Sequence, residues 1–305
     1  MSPDNRVFDA LIIGGGPAGV SCAVWLARLG FSPMLLEARA QVGGLCRDNP
    51  FLDEWNASLP GMSGPQVADN LAHSLAQARV PVWLSCAVGH VAASQYGFAA
   101  TCAGASSPLQ ARHIVLATGV RARSLPAVAA GIASFSAAPP AGILVGPGAH
   151  IVAQDFRGKR VAILGGGDNA FENALYVAGH GAEKVHVYAR SIKAQRQFVR
   201  KVLPANVSLG SYRVDAVART VNEEHYDLIL VFYGWEPCAD FAEALGLHRS
   251  SHGFIATDMQ TAQTSCPGVY AIGEVAQRQH PCVVTALADG VTAAKAIQAR
   301  IEAGQ

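Results

Sequence analysis

The chain has 305 residues, half of them hydrophobic and 15% charged, with a formal net charge of +1. That length carries two ordinary domains with large cores, and the charge balance gives no case for nucleic acid or an anionic membrane surface as a partner. The polar opening Met1 to Arg6, and the lack of an apolar run of transmembrane length, argue against a signal peptide or a membrane span, so a cytoplasmic protein is expected.

Phe8 to Ile13 reads as a buried parallel strand. It runs into Gly14-Gly15-Gly16-Pro17-Ala18-Gly19, a turn whose glycines let backbone approach a pyrophosphate. The helix from Pro17 to about Leu29 then aims its N-terminal N–H groups at the phosphates. Gly30 ends that helix, Ser32 to Leu36 is the second strand, and Glu37 closes it. An acid about 20 residues beyond the first glycine accepts hydrogen bonds from a ribose diol. A lone glycine fingerprint is weak; strand, glycines, helix, strand and acid in this order are strong. Gly43-Gly44-Leu45-Cys46 follows, a loop suited to passing close to a bulky ligand and equally readable as a plain flexible loop.

The pattern returns in the second half. Arg160 to Leu164 is a short apolar strand entering Gly165-Gly166-Gly167-Asp168-Asn169-Ala170. Asn169 to about Ala178 is helical in pattern, Gly179 to Gly181 ends it, and Val185 to Tyr188 is the next strand. Arg190 stands after it in place of an acid. An arginine there suits a 2′-phosphate better than a bare ribose, the alternative being a solvated strand-end charge. Arg196 is a second candidate phosphate partner, and Asp168 reads as a helix cap or a ribose contact. One fingerprint binds one dinucleotide; two, with Glu37 in one and Arg190 in the other, point to two different dinucleotides and electron transfer between them.

Seven cysteines are scattered through the chain: Cys22, Cys46, Cys86, Cys102, Cys238, Cys266 and Cys282. None form a CxxC or CxxxxC pair or a zinc-spaced cluster with histidine, so no metal site is expected. At least four or five are expected to be buried apolar thiols. No Ser-His-Asp or paired-carboxylate spacing argues for hydrolytic catalysis.

With both fingerprints placed, the chain resembles the thioredoxin-reductase-like branch of the two-dinucleotide flavoproteins over nearly its whole length. Ile114 to Gly119 resembles the segment that leaves the FAD domain, and Leu228 to Pro237 the segment that leaves the pyridine-nucleotide domain. Thr264 to Val275 resembles the late strand and turn that hold the flavin ribityl chain, and His280 to Gly290 the helix start beneath the flavin ring. The resemblance implies an α/β fold of two Rossmann-like three-layer domains, the second inserted into a discontinuous first. FAD would bind residues 1–123 and 245–305, and the nucleotide domain would span 124–244. It assigns to FAD Gly14, Gly16, Pro17, Ala18, Gly19, Glu37, Ala38, Gly43, Gly44, Leu45, Val88, Ala117, Thr118, Gly119, Gly273, Glu274, Pro281, Cys282 and Val283. It assigns to NADPH Gly165, Gly167, Asp168, Asn169, Ala170, Arg190 and Arg196. It also implies a homodimer and hydride transfer from nicotinamide C4 to flavin N5.

Four departures bear on activity. The family's redox CxxC is absent, and Ser134 to Gly158 holds no cysteine, so a thiolate cannot attack a disulfide and be resolved within the enzyme. The His-Arg-Arg phosphate motif appears as Ala189-Arg190-Ser191. The ribityl-binding acid is Glu274 rather than Asp. The chain ends at Gln305 without the flavin-stacking aromatic tail that many ferredoxin-reducing relatives carry. The expected activity is transfer of electrons from NADPH through FAD to an external acceptor: a small iron–sulfur or flavin protein, a quinone or a disulfide. The open alternatives are a second flavin in the inserted domain, a sensing or scaffold role, and a single-thiol disulfide reductase using Cys46. Cys282 and His280, beside the expected flavin position, are further redox or proton-buffering candidates, with Pro281 in the first turn of their helix.

Overall fold

A computed structural model describes residues 6–126 and 139–304. The chain divides into two compact units, one formed by the first stretch up to Arg121 together with Glu236 onward, the other by Ala122–Trp235. The first unit opens with β1 (Val7–Ile13), α1 (Pro17–Arg28), β2 (Pro33–Leu36), α2 (Gly64–Gln77), β3 (Val82–Trp83), β4 (Val88–Ser94), β5 (Gly97–Cys102) and β6 (Leu109–Leu116). The second unit follows with β7 (Ile143–Val145), β8 (Arg160–Leu164), α3 (Asp168–Gly179), β9 (Lys184–Ala189), β10 (Val207–Leu209) and β11 (Leu228–Val231). The chain then returns to the first unit with β12 (Val269–Ala271) and α4 (Val283–Glu302).

The first sheet runs β3-β2-β1-β6-β5-β4, with β12 also paired to β6. β6 is shared along its length. Its start, Leu109 to Ala111, pairs antiparallel with β5, and its end, Ile114 to Leu116, pairs parallel with β12. From Gln110 to Leu116 it also lies parallel to β1. Both faces are covered, which is why β1 is apolar at every position from Ala10 to Ile13. Leu11 and Ile13 enter one core while Ala10 and Ile12 enter the other. The second sheet, β10-β9-β8-β11-β7, is wholly parallel, and β8 alternates in the same way, with Val161 and Ile163 against Ala162 and Leu164.

The second boundary falls before Glu236, not before Leu245 as the sequence suggests. Ala239 and Ala242 are buried in the first unit's core, with Phe241 and Leu245 packed on it. The Cys238 backbone also exchanges bonds with that unit, donating to Gly119 O (3.1 Å) and accepting from Thr118 Oγ1. The cysteines are less buried than expected: Cys22, Cys86 and Cys102 are buried, Cys46, Cys238 and Cys266 are half-buried, and Cys282 is exposed. Among the described residues no helix is long and apolar enough to cross a membrane.

Candidate functional site

The first fingerprint is built by β1, α1 and β2. Gly14 has φ +111°, and a Cβ there would lie 2.3 Å from Ala117 O, so the residue that follows β1 must be glycine for the chain leaving β6 to approach. On its other side the turn meets Gly43 and Gly44. Gly43 N donates to Gly15 O (2.8 Å), and a Cβ on Gly44 would sit 3.1 Å from the Gly16 Cα. Gly273 closes the ring against Ala18. A Cβ added at Gly16 would meet only Gly44 Cα within 4 Å, leaving an open approach to α1, whose N-terminus carries no side-chain cap. Glu37 is buried at the edge of this turn. Its Oε2 accepts from Gly15 N (2.7 Å) and its Oε1 from Arg39 N (2.8 Å), so the carboxylate is fixed with acceptor capacity to spare. An open phosphate cradle flanked by an anchored acid fits the adenosine diphosphate half of FAD. Ala117, Thr118 and Gly119 follow β6, Ala38 is exposed after Glu37, and Val88 opens β4.

Around the far end of this ring the structure corrects one expectation. Pro281 precedes the helix rather than entering its first turn: α4 begins at Val283, and Cys282 is its N-cap. Cys282 N donates to Thr285 Oγ1 (3.2 Å) and its Sγ lies 3.4 Å from the same oxygen, so the residue serves as a cap. Cys46 sits in the short helix Leu45–Asp48. Burial, reinforced by the negative charges of Asp53 and Glu274, pushes its thiol up to about 11, which leaves it protonated at neutral pH and weakens it as a nucleophile. Burial likewise lifts the Glu274 carboxyl above the usual range. His280 is exposed, and its carbonyl accepts from Thr285 Oγ1 (2.7 Å).

A hollow lined by Gly273, Glu274, Pro281 and Cys282 also holds two residues that sequence reading missed. Asp289, on α4, accepts from Gly273 N (3.0 Å) and from Arg278 Nη1 (2.6 Å), and both side chains of this ion pair are more than nine-tenths buried. Arg278 Nη2 reaches Met259 O, while its Nε is buried with no partner. An acid on the otherwise apolar inward face of α4, beside Gly290, was the available signal.

The second fingerprint repeats the turn. Gly165 has φ +142°, with an added Cβ 2.4 Å from Phe232 O, and a Cβ on Gly167 would meet nothing within 4 Å. That open face at the start of α3 fits a pyrophosphate as Gly16 does. Asp168 is not a cap: the N-cap is Gly167, without a side-chain bond, and the Asp168 carboxylate turns instead to Gln195. Ala170 is buried, and Asn169 O accepts from Asn173 Nδ2 (2.8 Å). Arg190 is exposed just beyond β9. Tyr212 and Tyr233, whose hydroxyls bond at 3.2 Å, feel its charge, which opposes the rise that burial imposes on both phenols. Arg196 is exposed at the start of the short helix Arg196–Val199.

The pyridine nucleotide-disulphide oxidoreductase model matches residues 8–290. The chain belongs to that family. It is thus an FAD-dependent NAD(P)H oxidoreductase of thioredoxin-reductase-like fold. It is 28% identical to an alkyl hydroperoxide reductase component of Pseudomonas putida, with 96% of the chain aligned but only 58% of that relative's length spanned. It is 29% identical to a ferredoxin--NADP reductase of Granulibacter bethesdensis, over 88% of the chain and 81% of the relative. Among solved structures, the thioredoxin reductase of Lactococcus lactis superposes with a TM-score of 0.78 at 24% identity, covering 96% of this chain and 98% of that one.

Proposed function

We propose that the protein passes reducing equivalents from NADPH, held by the second unit, through FAD, held by the first, to an external acceptor, with no dithiol of its own. The observation that carries this reading is a pair of intact glycine turns, one beside Glu37 and one beside Arg190, in a sequence without a CxxC. When bound, FAD supplies two-electron chemistry, taking up hydride at N5 and releasing electrons to a partner. The chain's own residues bind and orient. The N-termini of α1 and α3 receive pyrophosphate, Glu37 accepts ribose hydroxyls, and Arg190 offers a cation to a 2′-phosphate.

The acceptor of this reading is a small redox protein or a quinone, in a cytoplasmic homodimer. The ferredoxin--NADP reductase relative supports it. The Cys46 thiol, held up at about 11, disfavours disulfide reduction through a single cysteine. The test is anaerobic titration with NADPH and NADH, followed by reoxidation with ferredoxin, flavodoxin, a quinone or an aromatic disulfide. Flavin bleaching by NADPH and rapid reoxidation by one of the first three is expected. Absence of nucleotide-dependent bleaching, or two flavins per chain by absorbance, would sink the proposal.

A further inference from the structure

We infer that Asp168 is a positioning residue that latches the loop after β9 across the second fingerprint, so that its cations meet a 2′-phosphate, and that this latch sets the preference for NADPH over NADH. The inference rests on the reading of the second unit as a pyridine-nucleotide site.

Asp168 opens α3, where a free carboxylate would repel an incoming phosphate. Its two oxygens are engaged elsewhere. Oδ1 accepts from Gln195 N (2.7 Å) and Oδ2 from Gln195 Nε2 (3.1 Å). The same loop is fastened to the glycine turn itself, since Lys193 N and Ala194 N both donate to Gly166 O, at 2.7 and 3.0 Å. Ser191 O lies so near Gly166 that a Cβ there would come within 1.9 Å of it. The loop from Arg190 to Arg196 is therefore tied to the fingerprint both by backbone and by Asp168. It carries three cations, Arg190, Lys193 and Arg196, in a chain with one recognised arginine of the family's pair. A loop ordered beforehand spares the ligand the entropy of ordering it, and that saving applies to the 2′-phosphate the loop faces. A ligand without that phosphate makes no use of the latch.

The experiment uses the FAD-loaded protein, its Asp168→Ala and Asp168→Asn variants, and Gln195→Ala. Calorimetry with 2′,5′-ADP and with 5′-AMP is paired with KM and kcat for NADPH and NADH. Losing bonds to a charged group predicts about tenfold weaker 2′,5′-ADP binding in Asp168→Ala, unchanged 5′-AMP binding, and an effect on the KM for NADPH rather than on kcat. Gln195→Ala should copy it, and Asp168→Asn, which keeps an acceptor for Gln195 N, should recover most of it. Equal weakening of both nucleotides marks a merely structural role and overturns the inference, as does discrimination that survives loss of Asp168. Wild-type protein that binds neither nucleotide overturns the pyridine-nucleotide reading itself, a separate result.

Discussion

At the scale of single residues, burial decides which groups can react. Cys46 stands in the segment beside the first fingerprint, yet its rise to about 11 leaves on the order of one part in ten thousand as thiolate at pH 7. Its alkylation by iodoacetamide should therefore be slow at neutral pH and climb about tenfold per pH unit up to about 11, as read by mass spectrometry; a plateau below pH 8 would contradict the burial argument. Arg278 presents the opposite case, a charge kept in the interior because Asp289 is there. Arg278→Ala leaves that carboxylate buried and unpaired, so a loss of about 3–5 kcal/mol is expected in urea denaturation. A loss under 1 kcal/mol would show that the pair is dispensable.

At the scale of elements, close approach and charge pairing join what the sequence keeps apart. α1 crosses α4 at Gly290, where a Cβ would lie 2.5 Å from Ala18 O and 2.6 Å from the Ser21 Cβ, and Ser21 Oγ donates to Leu287 O (2.7 Å) beside it. Gly290→Ala normally favours a helix, but here it forces the helices apart and should lower the melting temperature and the retained FAD together; a stabilised variant would refute the contact. In the second unit, Glu224 bonds Lys184 at the start of β9, Tyr226, and Arg160 at the start of β8. The Lys184 hydrogen bond first, with Tyr226 and the nearby cations, lowers its carboxyl from 4.5 to about 2. The folded value is the depressed one, so this support is present above pH 4.5 and is lost as pH falls toward 2. Glu224→Gln removes that support, so it should lower stability at neutral pH, leave it nearly unchanged near pH 2, and flatten the stability–pH curve in between.

At the scale of the whole molecule, stability is tied to occupancy. Each glycine turn presents unpaired donors at a helix start, so a bound dinucleotide stabilises the unit that holds it by mass action, about 2.7 kcal/mol at one hundred times Kd. Protein stripped of flavin should melt at a lower temperature and recover it on FAD addition. NADP⁺ should add a further shift that Asp168→Ala diminishes, and a melting curve indifferent to FAD would count against the first site.

Both fingerprints, the strands that enter them and the acid and arginine beyond the second strands were legible because a Rossmann turn is local: apolar run, glycines, helix and strand lie within a few dozen consecutive residues. The missing CxxC was legible for the same reason. What Asp168, Cys282, Pro281 and Asp289 do was not, because each role depends on a partner or a helix boundary that spacing does not encode: Gln195 across a β–α unit, the exact start of α4, Arg278 buried against it. The second domain boundary failed likewise, since Ala239 and Ala242 return to the first core through packing alone. The sequence by itself determined the two dinucleotide turns and the absence of a CxxC. Only the tertiary structure decided which carboxylates are occupied, which thiol is quenched by burial and where one unit ends, because burial and long-range partnering arise only when distant segments meet.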